Sequence, residues 1–160
     1  MVIATKVTPE DVHRMLEEVV DPDIPVLTIA DIGILRNVAI AEDGTVIVSV
    51  TPTYSGCPAM AVIEEDIRAA LDRGGVQEVV VTVQHLPVWT TDWMSDDAKE
   101  KLRGFGIAPP DSTLAIVPEI LCPRCSSSGT AKVSEFGSTA CKSLWVCTTC
   151  SEPFDYFKAI

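Results

Sequence analysis

Six cysteines stand out in this 160-residue chain, because thiolates bind metals and attack electrophiles. Four of them form two Cys-x-x-Cys pairs, Cys122 with Cys125 and Cys147 with Cys150, and residues 126–146 lie between the pairs. Pairs at about this distance are typical of zinc ribbons, in which four thiolates hold one tetrahedral ion. A module of about 40 residues has too small a core to fold unaided, so a bound metal would account for its stability. The spacing therefore predicts a structural zinc site, with iron or an iron–sulfur cluster as the alternative.

Cys141 is the remaining cysteine of this region. It could replace one of the paired cysteines as a metal ligand, but two close pairs chelate better, and we therefore treat Cys141 as an extra thiol. Two interpretations of it stay open. It is either a second reactive thiol or a spare cysteine that is simply packed or exposed.

Cys57 lies immediately before Pro58, where a predicted strand gives way through a Ser55-Gly56 corner to a predicted helix. Proline is favoured at the first position of a helix, so the thiol is expected at a helix N-terminus. Unpaired N–H groups and the positive end of the helix dipole favour a thiolate there. Cys57 is therefore a candidate nucleophile or metal ligand, and a small buried turn residue is the alternative.

The usual signatures of an enzyme are not found in the sequence. It contains no Gly-x-Gly-x-x-Gly, phosphate-loop or Gly-x-Ser-x-Gly motif. Glu10-x-x-His13 has the spacing of a di-iron carboxylate motif, but such sites need two of these motifs and two further glutamates. No base is placed to activate Cys57, so a catalytic activity of the chain itself is not predicted.

The formal net charge of -11 at pH 7 is concentrated in the first part of the chain, since residues 1–110 hold 18 Asp/Glu against 8 Lys/Arg. An acidic surface repels phosphate backbones and anionic lipids, which argues against nucleic acid and membrane partners. The N-terminus lacks the pattern of a signal peptide, and no apolar run reaches the roughly 20 residues of a membrane span. We therefore expect a cytoplasmic protein with reduced cysteines.

Capping signals and apolar periodicity predict the elements that must place these cysteines. Thr8 caps a helix that begins at Pro9, and apolar positions repeat at helical spacing up to Val20. Asp43-Gly44 marks the turn of a hairpin. The predicted order is a helix over 9–20, strands over 34–40 and 45–50, a helix over 58–73, a strand over 76–83 and a short helix from 96 to about 103.

This order predicts a two-layer α+β domain over residues 1–104. Glycine, two adjacent prolines and few charges make residues 105–120 a predicted linker. Residues 121–160 are the predicted zinc ribbon, with short strands over 130–136, 143–146 and 154–157.

Several short motifs of the chain occur in a distinctive order. They are Asp-Pro-Asp-Ile-Pro at 21–25, Thr-Pro-Thr at 51–53, Ser-Gly-Cys-Pro at 55–58, Pro-Val-Trp at 87–89, Trp-Met-Ser at 93–95, and the tail segments 135–142 and 147–154. With these motifs, residues 8 to about 104 resemble the iron–sulfur cluster assembly domain family. The two tail segments are similar to the tail of the PaaD (PaaJ) family of phenylacetate degradation proteins.

The resemblance implies a fold of the cluster-assembly type and a role in aerobic phenylacetate catabolism. It implies an accessory protein that helps to mature or maintain the metal centres, iron–sulfur or di-iron, of the phenylacetyl-CoA epoxidase complex. The implied partners are the oxygenase components and the iron–sulfur assembly machinery. A structural or docking subunit without metal delivery is the alternative, and a homo-oligomer is compatible with either.

The resemblance also implies a site around Cys57, which matches the cysteine of the family. Iron or an iron–sulfur cluster would be held there transiently. Asp21, Asp23, Thr51 and Thr53 are the implied neighbours. The family motif is usually Asp-Pro-Glu, so Asp23 keeps the charge of the glutamate with a shorter reach.

Overall fold

The computed structural model describes residues 7–110 and 119–160, which contain both helices and strands. The chain divides into two compact units, of which one ends at Val88 and the other begins at Trp89. The first unit contains a three-stranded sheet and the second a four-stranded sheet. The predicted α+β class is therefore confirmed.

Helix α1 of the first unit, Pro9–Leu16, begins where the sequence predicts. The Thr8 side chain accepts a hydrogen bond from the Asp11 N–H at 3.2 Å, and the Asp11 carboxylate accepts one from the Thr8 N–H at 3.1 Å. These reciprocal bonds form a capping box, which satisfies two N–H groups that the helix would otherwise leave free. Val12 and Leu16 form its buried side.

The predicted extension of α1 to Val20 is wrong, since the helix ends at Leu16. The segment that follows bonds instead to the chain six to ten residues farther on. The Ile29 N–H donates to the Val19 carbonyl at 3.0 Å, and the Asp21 N–H donates to that of Leu27 at 2.9 Å. Val19 is still buried, as its apolar spacing predicts, but in an irregular loop.

A second, short helix was not predicted from the sequence. Helix α2, Ile29–Ile32, begins with another capping box, between Thr28 and Asp31. Its C-cap is Gly33, which adopts the left-handed conformation with φ 80°. The Thr-x-x-Asp spacing is the same as at Thr8, so the signal was present in the sequence.

The sheet of the first unit has the strand order β1-β2-β3. Strands β1, Leu35–Ile40, and β2, Val46–Val50, form the predicted antiparallel hairpin. Strand β3, Val79–Val83, runs parallel to β2 after the chain has crossed over through helix α3, Ala59–Arg73. Strand β3 starts later than predicted, because the Val76 N–H donates to the Leu71 carbonyl at the end of α3.

The parallel pairing decides where the loops of the first unit lie. Parallel strands have their carboxyl ends at the same edge of a sheet, and the Gln84 N–H donates to the Val50 carbonyl at 2.9 Å. The loop from Thr51 to Cys57 and the segment that follows β3 therefore leave the sheet at one edge. Leu86 in that segment is 78% exposed.

The second unit begins with a 3-10 turn, Thr91–Trp93, and helix α4, Asp96–Gly104. The turn is fastened to the other end of the unit, because the Thr90 hydroxyl and the Thr91 N–H both donate to the Ile160 carbonyl, at 2.7 and 3.1 Å. Trp89 is buried, and the centroid of its ring lies 6.1 Å from that of Phe157. This aromatic segment therefore packs with the C-terminal strands, although the sequence prediction assigned it to the first domain.

The sheet of the second unit has the strand order β4-β7-β6-β5. Its strands are β4 Ile107–Ala108, β5 Thr130–Ser134, β6 Lys142–Cys147 and β7 Pro153–Phe157. Strand β4 lies within the predicted linker over 105–120 and pairs with β7 in parallel. Residues 111–118 of that linker lie outside the described residues. None of the helices in the described ranges is long and apolar enough to cross a membrane.

Candidate metal centre

The first Cys-x-x-Cys pair, Cys122 and Cys125, lies in a tight backbone turn before β5. The Cys122 N–H donates to the Ser127 carbonyl at 2.9 Å, and the Ser126 N–H donates to the Cys122 carbonyl at 2.9 Å. Ser126 follows the second cysteine directly and adopts the left-handed conformation, with φ 59°. The backbone therefore reverses direction after Cys125, which allows the two thiols to lie on the same side of the turn.

The second pair, Cys147 and Cys150, repeats this geometry between β6 and β7. The Cys147 N–H donates to the Glu152 carbonyl at 2.8 Å, and the Ser151 N–H donates to the Cys147 carbonyl at 2.9 Å. Ser151 again follows the second cysteine and has φ 64°. We call these two matching turns the knuckles.

The knuckles bring the four sulfur atoms of Cys122, Cys125, Cys147 and Cys150 together, and we call this group the ribbon cluster. The Cys122–Cys150 and Cys125–Cys147 sulfur distances are 3.8 and 3.6 Å, and all four atoms lie within 4.8 Å of one another. Tetrahedral sulfurs bonded at about 2.3 Å to a single ion stand about 3.8 Å apart. In an iron–sulfur cluster the four cysteines are divided between two or more iron atoms, so that sulfurs on different irons stand farther apart. The spacing found here fits a single four-coordinate ion.

The crowded thiols of the ribbon cluster do not ionise alike. The Cys150 N–H, 3.5 Å from the Cys147 sulfur, holds the pKa of Cys147 down at about 6. The pKa of Cys125 is raised to about 12: the Ser127 N–H acts in the opposite direction, but the thiol of Cys150, burial and the thiol of Cys147 outweigh it. A metal ion between the four sulfurs would favour the thiolate form of all of them, because metal ligation requires deprotonated thiols.

The two knuckles are also held to each other through Gly129. Its carbonyl accepts hydrogen bonds from the N–H and the hydroxyl of Thr148, each at 2.8 Å. A Cβ atom at Gly129 would lie 2.9 Å from the Thr148 hydroxyl oxygen, so only glycine fits this close approach. The Ser127 and Thr149 hydroxyls bond at 2.8 Å beside it.

An ion pair spans the outside of the cluster. The Arg124 guanidinium donates to the Glu152 carboxylate. The hydrogen bond with Glu152 raises the pKa of Arg124, and the neighbouring thiolates of Cys150 and Cys122 act in the same direction. The Arg124–Glu152 pair is neutral as a whole, and its guanidinium also interacts with the thiols of Cys150 and Cys122.

Cys141 is buried and lies outside the ribbon cluster. Its sulfur is 3.0 Å from the Thr139 hydroxyl, and its carbonyl accepts a hydrogen bond from the Lys158 N–H at 3.0 Å. The geometry is that of a packed thiol at the start of β6.

Cys57 lies two residues before the first residue of α3, and its side chain is half-buried. Pro58 between them has helical backbone angles, φ -68° and ψ -22°. The Cys57 N–H donates to the Tyr54 carbonyl at 3.2 Å, and its own carbonyl accepts from the Met60 N–H at 3.3 Å. The expected position at the start of a helix is therefore found.

The implied neighbours of Cys57 have different surroundings. Asp21 is buried, and its carboxylate accepts hydrogen bonds from the N–H groups of Asp23 and Ile24, at 2.8 and 2.9 Å. Asp23 is exposed. Thr51 and Thr53 are buried, and no residue in the described ranges bonds to the Thr51 hydroxyl.

Only the ribbon cluster brings three or more cysteine, histidine or carboxylate donors into a metal-binding group within residues 7–110 and 119–160. The structure does not gather Cys57, Asp21 and Asp23 in this way. Sequence reasoning missed the residues that shape the knuckles, Ser126 and Ser151. Their signal was the serine that follows the second cysteine of both pairs.

Two protein-family models match successive parts of the chain. Residues 9–84 match the model of the iron–sulfur cluster assembly protein family, and residues 107–158 match that of the PaaD zinc beta ribbon domain. The chain is 50% identical over 160 residues to an Escherichia coli protein described as a putative subunit of 1,2-phenylacetyl-CoA epoxidase, and the match covers 96% of each chain.

Other relatives match the first part of the chain. An Fe-S protein maturation auxiliary factor of Porphyromonas gingivalis is 41% identical over 99 residues, which are 61% of this chain and 92% of that protein. Among solved structures, the crystal structure of a domain of unknown function from Bacillus anthracis superposes with a TM-score of 0.55 and a sequence identity of 29%. The match covers 59% of this chain and 90% of the Bacillus chain. A conserved hypothetical protein of Thermotoga maritima is 32% identical, with a TM-score of 0.53, over 62% of this chain and 98% of its own.

Proposed function

The chain belongs to the family of the Escherichia coli epoxidase protein, and we propose that it is an accessory protein of a phenylacetyl-CoA epoxidase complex. In this proposal it helps to mature or maintain the metal centres of that enzyme. One observation carries the proposal: a region related to iron–sulfur maturation factors and a cluster of four converging thiols occur in the same chain.

The ribbon cluster is proposed to hold zinc as a structural ion. Four sulfurs close a tetrahedral site completely, and zinc suits such a site because it has no redox chemistry and no preference for another geometry. The chain's own residues orient the ligands, because the two knuckles bring the four sulfurs together. Bound zinc would then stabilise the four-stranded sheet rather than leave the protein.

Cys57 is proposed to hold iron or an iron–sulfur cluster transiently, as cargo on its way to the oxygenase. The thiol is half-buried at the sheet edge, where the loops after β2 and β3 leave together. A buried polar atom without a partner calls for a bound water or ion, and the Thr51 hydroxyl at the start of this loop is such an atom among the described residues. Asp21 shapes the neighbouring loop, and the exposed Asp23 carboxylate is the acid better placed to approach a metal.

The test is the metal content of the oxygenase produced with a Cys57→Ala variant. We expect the variant to fold and the oxygenase to be poor in iron or cluster, since the transfer ligand is lost. Ser55→Ala changes an exposed residue of the same loop and serves as the matched control. Fully metallated oxygenase from cells with Cys57→Ala would refute the transfer role.

A docking subunit is the second candidate function, because the Escherichia coli relative is described as a subunit of the epoxidase. A docking subunit would form a lasting stoichiometric complex with the oxygenase components and would be indifferent to Cys57. Size-exclusion chromatography of the mixed purified components separates the two functions. A maturation factor instead acts in substoichiometric amounts and dissociates.

A further inference from the structure

A cleft on the sheet of the second unit takes no part in either cysteine site. It encloses about 360 Å³ on one face of β5, β6 and β7. We call it the Trp145 cleft. Its polar and aromatic lining residues are Lys132, Glu135, Ser143, Trp145, Tyr156 and Lys158.

The floor of the Trp145 cleft is aromatic. The rings of Trp145 and Tyr156 meet edge to face, with centroids 6.2 Å apart and an interplanar angle of 75°. The indole N–H of Trp145 donates to the hydroxyl oxygen of Ser143 at 2.9 Å, and Ser143 is only 1% exposed. This bond to the buried hydroxyl holds the indole ring in place on the floor of the cleft.

The rim of the cleft carries two ammonium groups over aromatic rings. Lys132 Nζ lies 5.6 Å from the centroid of the Trp145 ring, and Lys158 Nζ lies 4.6 Å from that of Phe136. Both face Glu135: the Lys132 ammonium is 2.8 Å from one carboxylate oxygen, and the Lys158 ammonium is 4.0 Å from the other. The hydrogen bond from Lys132 lowers the pKa of Glu135, so Glu135 stays ionised at neutral pH.

In the ribbon, residues 121–160, two basic side chains share a single acidic partner. Residues 121–160 hold four Lys/Arg side chains. Arg124 has Glu152 as its partner and Lys142 has Asp155, whereas Lys132 and Lys158 share Glu135. Among the side chains of the rim, Lys132 and Lys158 therefore exceed Glu135 by one positive charge, in a chain whose net charge is -11.

We propose that the Trp145 cleft binds an acidic segment of a partner protein. One carboxylate of the segment lies between Lys132 and Lys158, and a neighbouring aromatic or aliphatic side chain covers the floor. One carboxylate balances the surplus charge, whereas a polyphosphate would exceed it. This proposal deepens the proposed function. It rests on that function in one respect, namely that the ligand belongs to a partner protein.

Three capped pentapeptides test the ligand chemistry on the full, metal-loaded chain. Ser-Glu-Phe-Ser-Ser contains both groups with a single carboxylate, Ser-Gln-Phe-Ser-Ser lacks the charge, and Ser-Glu-Gly-Ser-Ser lacks the ring. The reporter is the NMR signal of the Trp145 indole N–H, assigned with a Trp145→Phe variant. We expect saturable shifts with the first peptide and affinities lower by about two- to fivefold for each missing group, the range of exposed ion pairs and aromatic contacts.

Variants of the rim predict changes of opposite sign. Lys132→Gln and Lys158→Gln should each weaken binding of the first peptide by about two- to fivefold. Glu135→Gln should strengthen it by a similar factor, because the internal carboxylate no longer competes for the two ammonium groups. Lys99→Gln removes the same charge from α4, outside the cleft, and should change nothing.

The proposal is overturned if the glutamine peptide binds as well as the glutamate peptide, or if Glu135→Gln fails to raise the affinity while its melting temperature is unchanged. It is also overturned if free benzoate binds as tightly as the first peptide, since the cleft would then be a site for small acids. These readouts do not involve the metal content of the oxygenase. A failure here thus stays distinct from a failure of the transfer role of Cys57.

Discussion

The two cysteine sites differ in how much of the ligand set the fold has already assembled. In the ribbon cluster four sulfurs stand within 4.8 Å of one another, on knuckles with matching hydrogen bonds. At Cys57 there is a single thiol, and the carboxylate of Asp21 is engaged with two N–H groups of its own loop. A complete ligand set holds an ion for structure, whereas an incomplete one leaves positions open for exchange. In the proposed function, this difference would separate a structural metal at the ribbon cluster from a transient one at Cys57.

The largest expected effect is that of breaking the ribbon cluster. Cys147→Ser removes one of four ligands, and the apparent binding free energy of structural zinc, about 10–16 kcal/mol in small domains at pH 7, is also folding free energy. We expect loss of the bound metal and of the near-ultraviolet circular dichroism of the second unit. Cys141→Ser is the matched control and should keep its metal, because that thiol lies outside the cluster. A folded, fully metallated Cys147→Ser variant would mean that the metal is not what stabilises the ribbon.

A smaller effect is expected where the knuckles meet. Gly129→Ala places a methyl group 2.9 Å from the Thr148 hydroxyl oxygen, and such overpacking costs about 1–3 kcal/mol. Metal affinity, measured by competition with a chelator, should fall accordingly. Adding Thr148→Ala removes the clash and should recover part of the loss. If the double variant loses more metal affinity than the two single variants lose together, the clash between the methyl group and Thr148 does not cause the loss in Gly129→Ala.

The loop that carries Asp21 should respond more weakly and without any change in the bound metal. Asp21→Ala deletes the acceptor of two N–H groups, and removal of such a capping side chain costs about 0.5–2 kcal/mol. Chemical denaturation of the first unit measures this loss. Asp23→Ala, at an exposed neighbour, should cost less than about 0.5 kcal/mol. Equal losses for the two variants would remove the structural distinction between these acids.

The smallest expected effect on the resting protein is that of Cys57→Ser. An isosteric change at a half-buried turn residue should alter the free energy of unfolding by less than about 0.5 kcal/mol. The metal content of the purified protein should also be unchanged. Loss of the ribbon's metal in this variant would contradict the separation of the two sites.

Local signals in the sequence predicted much of this architecture. The Asp43-Gly44 turn placed the hairpin, Thr8 placed the start of α1, and the Cys-x-x-Cys spacing placed the ribbon cluster. Each of these signals acts within a few residues, or through a ligand set that spacing alone identifies.

Signals that depend on distant residues were not readable in the same way. Val20 continues the helical periodicity, yet its segment bonds to the chain around Thr28. Trp89 is conspicuous in the sequence, but its partner Phe157 lies 68 positions farther on, so the pattern could not assign it to a unit. The double acceptor role of Asp21 likewise depends on the exact path of its loop.

The parallel pairing of β2 with β3 also has a consequence for the order of folding. The hairpin of β1 and β2 closes over residues 41–45, whereas the pairing of β3 with β2 closes a much longer loop, residues 51–78, which contains α3. Contacts between distant segments form more slowly than local ones, because loop closure costs entropy before the contact repays it. We therefore expect the edge that carries Cys57 to be completed last in the first unit. Until the third strand has docked, the edge around Cys57 would lack the segment that follows β3, which is one of the two that leave the sheet there.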